Sequence, residues 1–289
     1  MSTPTVDKDQ NSNSADSVRA GVADAYTAAI TRASEKQATG GGCCSPTPIG
    51  IAAACGAGYG DELNQVPEGA ATSSFGCGNP LSVEGVEEGQ TVLDLGSGAG
   101  LDLLLAARRV GPNGHVIGVD MTDAMIDAAR RHLEQAGVSW AEVRKGVIEK
   151  LPVEENSVDW VISNCVINLS PEKHAVFAEI ARVLRPGARF SISDIVADDL
   201  PEEILSHAAA HAACVSGAIS EADYIAGLEA AGLGDIEIAE RKVYDAHELK
   251  ALAASDLEDL GIEAPELEDA ISRAAGQVAS VRVTGRLPA

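Results

Sequence analysis

The chain has 289 residues, enough for one sizeable domain with a buried core plus a smaller appended unit. Its 44 acidic against 21 basic residues give a formal net charge of -23, a field that repels nucleic-acid phosphates and anionic membrane surfaces. The opening MSTPTVDKDQNSNSADS lacks a basic-then-apolar leader, and no run approaches the ~18 apolar residues of a membrane span. A soluble, cytoplasmic protein is expected, with neither nucleic acid nor membrane as partner. The acids are spread along the whole chain and lysine is scarce, which predicts a halophile protein suited to a salt-rich cytosol. Six cysteines in such a chain read as reduced, catalytic or metal-binding thiols rather than a disulfide framework.

Residues 1 to 15 read as a disordered tail. From Asp16 to about Lys36, Val18, Val22, Tyr26, Ala29 and Ile30 recur at helical spacing, with Asp16 or Ser17 as cap and Gly40-Gly41-Gly42 as breaker. Residues 40 to 80 are rich in Gly, Pro, Ser and Cys and read as a lid or binding loop. Within them Gly60-Asp61-Glu62-Leu63 suggests a turn of helix and Val66-Pro67-Glu68-Gly69 a turn. Phe75-Gly76-Cys77-Gly78-Asn79-Pro80 suggests a bent loop presenting one thiol.

From Thr91 strands and helices alternate, the pattern of a mostly parallel sheet covered on both faces. Strands are expected near 91 to 95, 115 to 119, 141 to 145, 158 to 163 and 188 to 194. Helices are expected near 100 to 110, near 122 to 136 with Thr122 as cap and Gly137 as stop, and near 171 to 184 with Ser170 as cap. Arg185-Pro186-Gly187 reads as the turn into the fifth strand. Helices near 201 to 215 and 221 to 231, the second capped by Ser220, suggest a subdomain over the sheet's carboxyl edge. A strand near 235 to 243, a polar helical region to about 275 and a strand over 279 to 285 close the chain. The expected division is 1–39 tail and helix, 40–90 cysteine-bearing loop segment, 91–200 alternating strand-helix domain, and 201–289 C-terminal subdomain with closing strands.

The first strand runs into Asp94-Leu95-Gly96-Ser97-Gly98-Ala99-Gly100, where glycines let the backbone approach a ligand beneath a helix N-terminus. The third glycine falls one residue earlier than in the dinucleotide fingerprint. Asp94 beside the loop disfavours pyrophosphate and suits a ligand carrying an amino group. Asp120 ends the second strand where an acid reaches ribose hydroxyls, followed by Met121. Ile148 and Glu149 suit an adenine, and Asn164 ends the fourth strand as a cofactor or substrate contact or a structural turn. Together these residues spell S-adenosylmethionine, with no permanent metal: no CxxC or Cys-His pair has finger spacing.

Gly42-Cys43-Cys44, Val66–Gly69, Phe75–Pro80, Val92–Gly100, Asp120-Met121-Thr122, Ser163–Leu169 and Cys214–Ile219 run in order over residues 40 to 235. They resemble the arsenite methyltransferases, a family of class I S-adenosylmethionine enzymes. The resemblance implies a Rossmann-like sheet with helices on both faces plus a smaller arsenic-binding subdomain. It implies that Cys165 and Cys214 hold arsenic(III) as substrate, with Cys77 as third thiol. Arsenic(III) is soft, and three sulfurs leave its lone pair free to attack a sulfonium methyl without a general base. Methyl transfer oxidises arsenic, so thiols must return electrons. The resemblance gives that task to Cys43 or Cys44, one of which would pair with Cys77 for reduction by thioredoxin or another thiol donor. Cys55 is taken as incidental. The implied activity converts arsenite to methylated arsenicals for detoxification. The alternatives are a methyltransferase acting on a small organic acceptor and a non-catalytic metalloid or redox sensor.

Overall fold

A computed structural model describes residues 8–38, 58–74, 76–83, 85–205, 215, 217–249 and 265–289. In chain order these form α1 (Lys8–Ala38), a 3-10 turn (Gly60–Gln65), α2 (Glu68–Thr72), β1 (Thr91–Leu95), α3 (Leu101–Val110) and β2 (His115–Asp120). There follow α4 (Asp123–Gln135), β3 (Ala141–Lys145), β4 (Val158–Asn164), a 3-10 turn (Ile167–Leu169), α5 (Lys173–Val183) and β5 (Leu184–Ala197). The chain closes with α6 (Glu202–Leu205), α7 (Glu221–Ala230), β6 (Gly234–Val243), α8 (Pro265–Ala274) and β7 (Val278–Arg286).

The strands form one seven-stranded sheet in the order β3-β2-β1-β4-β5-β7-β6. The first five are parallel and β7 is antiparallel to both its neighbours. Parallel strands buried on both faces must be apolar nearly throughout, which is why Val92, Leu93, Val116, Val161 and Ile162 leave almost nothing exposed. On one face Phe177 and Ile180 of α5 pack with Tyr224 and Leu228 of α7 beneath β4, β5 and β7. The Phe177 and Tyr224 rings lie 5.3 Å apart. On the other face Leu103 and Leu104 of α3 and Ile126 and Leu133 of α4 cover β1 and β2. Each such side chain contributes about 1.5–3 kcal/mol by leaving water.

Several boundaries differ from the sequence reading. Helix α1 starts at Lys8, so the tail reading and the Asp16 or Ser17 cap give way. No glycine or proline lies between Lys8 and Asp16, and Val22 and Ile30 bury themselves further along the same helix. Val66–Gly69 is no plain turn: Pro67 is the N-cap of α2. Arg185-Pro186-Gly187 is a bulge inside β5, between the pairs Val158–Leu184 and Trp160–Arg189, with Gly187 at φ 81°. At α5 the N-cap is Glu172, and Ser170 Oγ instead accepts the Glu172 N–H at 3.1 Å. Ser220 does cap α7, accepting the Asp223 N–H at 3.0 Å. Strands β6 and β7, grouped above with a C-terminal subdomain, complete the main sheet. Among the described residues no helix is long and apolar enough to cross a membrane.

Candidate active site

The carboxyl ends of β1, β2 and β4 open into one cleft, the usual ligand position where strand order reverses in an α/β sheet. Its floor is the loop after β1. Gly96, Gly98 and Gly100 have φ of 62°, 50° and 92°, a region costly for any residue with a Cβ. The loop is tied from three sides: Ser97 N–H donates to Val119 O at 3.1 Å, Gly98 N–H to Asp120 Oδ2 at 3.0 Å, and Ala99 O meets His132 Nδ1 at 2.8 Å. Gly100 is the N-cap of α3 and packs on Ala129 instead of lining the cleft.

Asp94, Gly96, Ser97, Gly98, Asp120, Met121, Ile148, Glu149 and Asn164, all expected at the cofactor, line this cleft. Asp94 is buried and its Oδ2, like Ser97 Oγ, has no hydrogen-bond partner among the described residues. Burial, then the charges of Asp102 and Asp120, push the Asp94 carboxyl well above the usual range. A ligand cation is what such a carboxylate lacks. Asp120 is raised by burial and steadied by the N–H groups of Thr122 and Gly98.

Helix α1, to which the sequence reading gave no role at the site, walls the cleft with Arg19, Val22 and Tyr26. Arg19 bridges Glu149 Oε1 at 3.3 Å and also pairs with Glu172, while Ser170 Oγ donates to Glu149 at 2.7 Å. Glu149 is therefore partly committed inside the protein. Asp102, likewise unexpected, lines the cleft from the first turn of α3. It is pushed up to about 6 by burial, against hydrogen bonds from Tyr59 and Asn164.

Two of the six cysteines, Cys77 and Cys165, meet at one end. Cys165 follows β4 in a left-handed conformation (φ 54°), unusual for a side-chain-bearing residue and held by its N–H donating to Ser193 O at 2.8 Å. Cys77 is joined to it by a disulfide with Cα atoms 5.9 Å apart, although the two lie 88 residues apart in sequence. Their sulfurs and an Asp194 carboxylate oxygen lie within 4.8 Å of one another. Cys43, Cys44, Cys55 and Cys214 fall outside the described residues; in this structure Cys77 pairs with Cys165 and not with Cys43 or Cys44 as the resemblance implies, and the two form a disulfide where the sequence predicts reduced thiols. Val215 packs in the same apolar cluster as Cys165, Leu169 and Ile195.

A family model described as a methyltransferase domain matches residues 86–250. An arsenite methyltransferase of Halobacterium salinarum is 46% identical over 200 residues, 69% of this chain and 51% of the relative. The human arsenite methyltransferase is 38% identical over 169 residues, 55% of this chain and 44% of the relative. The chain thus spans about half the length of these curated relatives. The solved structure of an arsenic(III) S-adenosylmethionine methyltransferase from Chlamydomonas reinhardtii matches with TM-score 0.62 and 34% identity, over 85% of this chain and 75% of that one. The chain belongs to the arsenite methyltransferase family.

The fold is accordingly that of class I methyltransferases, and the cofactor is S-adenosylmethionine. The donor set fits it: a buried carboxyl with one oxygen unpartnered for an ammonium group, an acid at the end of β2 for hydroxyls, and a glycine loop open to close approach.

Proposed function

We propose that this chain is an arsenite methyltransferase, moving methyl groups from S-adenosylmethionine to thiol-bound arsenic(III). The observation that carries the reading is the meeting of Cys77 and Cys165, distant in sequence, beside the cofactor cleft of a chain in this family. In this reading Asp94 takes the cofactor's ammonium group, Asp120 its ribose, and Met121 and Ile148 its adenine. Bound S-adenosylmethionine supplies an electrophilic sulfonium methyl. Cys77, Cys165 and Cys214 replace the hydroxyls of arsenite: each thiol gives its proton to a departing hydroxyl, which leaves as water, and its sulfur binds arsenic as a thiolate. Three sulfur ligands leave one lone pair on arsenic, which the protein aims at the methyl carbon; as the arsenic–carbon bond forms, the methyl–sulfonium bond would break and leave its electron pair on the donor's sulfur as a neutral thioether, so no general base is required.

The methylated arsenic has lost two electrons, and two thiols oxidised to one disulfide return them. Closure of Cys77 with Cys165 supports thiol redox at this position. Cys43 or Cys44 relays the electrons, and thioredoxin or another thiol donor restores the dithiol by exchange. A cytoplasmic setting, where thiols stay reduced, suits this cycle.

The test is incubation of reduced protein with arsenite, S-adenosylmethionine and a thiol, followed by separation of arsenic species. Methylated arsenicals are expected from the natural chain and none from Cys165→Ser or Cys214→Ser. Absence of product from the natural chain, or undiminished turnover in both variants, overturns the reading.

A further inference from the structure

The loop carrying Cys77 is gripped by one side chain. Asn164 Oδ1 accepts the N–H groups of Cys77 at 3.1 Å and Gly78 at 3.2 Å, and its Nδ2 donates to Gly78 O at 2.8 Å. A Cβ on Gly76 would overlap the Asn164 amide, and one on Gly78 would lie 2.6 Å from Ser193 Cβ. The glycines on either side of Cys77 therefore let the loop lie flat against β4 and β5. Ser280 Oγ donates to Cys77 O at 3.1 Å from β7.

Asn164 is itself held from behind. Its Nδ2 also meets Tyr59 Oη at 2.8 Å and Asp102 Oδ2 at 3.1 Å, and the Tyr59 hydroxyl donates to Asp102 Oδ1 at 2.6 Å. Tyr59 is 2% and Asp102 7% exposed, so this triangle replaces water that neither polar group can reach. Two N–H donors on Oδ1 and three acceptors around Nδ2 dictate which way the amide faces. Neither Tyr59 nor Asp102 has a part in the proposed chemistry. Asp102 and Asn164 nevertheless line the cofactor cleft, and the network runs from there to the thiol loop.

We propose that Tyr59 and Asp102 are positioning residues: they lock the Asn164 amide, and through it fix where the Cys77 sulfur stands relative to the methyl donor. The assignment of Cys77 as an arsenic thiol rests on the function proposed above; the mechanical coupling does not.

The experiment therefore reads the cysteine directly. Reduced full-length protein, arsenic-free, is treated with iodoacetamide, and alkylation of each cysteine is followed by peptide mass spectrometry in Tyr59→Phe, Asp102→Asn, Asn164→Ala and the Tyr59→Phe/Asn164→Ala pair. Turnover of arsenite is measured alongside. Tyr59→Phe should speed alkylation of Cys77 by roughly threefold to tenfold, the scale of one lost hydrogen bond, with Cys165 changed less than about twofold. It should lower kcat and leave KM for S-adenosylmethionine within about twofold. On the Asn164→Ala background Tyr59→Phe should add nothing, because the amide it locks is gone. Unchanged Cys77 alkylation in Tyr59→Phe, equal acceleration at all cysteines, a raised KM for the methyl donor alone, or additivity in the double variant would each overturn the proposal. Tyr59→Phe decides the matter if Asp102→Asn fails to fold. If the protein does not methylate arsenic, turnover is absent in every form while the alkylation pattern still tests the coupling.

Discussion

Asp194 offers a measurable consequence of burying an acid next to the sulfurs of Cys77 and Cys165. It sits on β5 with no exposed surface; Oδ1 accepts Asn168 Nδ2 and the Ile195 N–H at 2.9 Å each, and Oδ2 accepts the Tyr224 hydroxyl at 3.2 Å. Burial pushes its carboxyl from 3.8 up to about 7, with those hydrogen bonds and Lys173 pulling back. The folded state therefore binds this proton more tightly than the unfolded state. The stability it confers is full below the unfolded value, falls as pH rises from about 4, and is gone above about 7. About three pH units at ~1.36 kcal/mol each set a ceiling of ~4 kcal/mol on the cost of the ionised form. Asp194→Asn mimics the protonated carboxyl: the amide oxygen keeps Asn168 and Ile195, and the amide nitrogen donates to the Tyr224 hydroxyl oxygen. The variant should differ little from the natural chain near pH 4 and gain on it as pH rises. Between pH 5 and pH 8 the stability difference in its favour should widen by ~2–3 kcal/mol, on the scale of that proton-linkage. Urea unfolding of reduced protein at pH 5, 6, 7 and 8 measures this. A difference that stays constant over that range, or turns against the variant at pH 8, refutes the buried-proton argument.

Two further outcomes follow from the site and the surface. Gly76→Ala drives a methyl into the Asn164 amide and so moves Cys77; turnover should fall on the order of a hundredfold, as an ångström-scale misplacement costs, and undiminished kcat would show that the loop adapts. With a net charge of -23 the folded chain repels itself, so the melting temperature should climb from low to molar KCl; a flat profile removes the halophile reading.

What the sequence made legible was whatever a local rule governs. Glycines at Gly96, Gly98 and Gly100 announced a loop because backbone with positive φ selects them, and alternating apolar runs announced the parallel strands because burial on both faces leaves no polar option. The turn residues Arg185-Pro186-Gly187 misled because the same chemistry serves a bulge, and only pairing with β4 on one side and β7 on the other distinguishes the two. Nearest neighbours gave no hint that Cys77 meets Cys165; segment-by-segment resemblance did. Asp102 shows the limit most clearly. In Gly100-Leu101-Asp102-Leu103-Leu104 it reads as an ordinary first-turn acid facing the helix dipole and water. Its burial depends on Tyr59, 43 residues earlier, and on Asn164, 62 residues later, each of which satisfies one of its oxygens. No periodicity encodes such a triangle, since its members share neither a helix face nor a strand. Buried polar contacts of long sequence separation are thus the class of interaction that the fold alone reveals, and in this chain they end on a thiol.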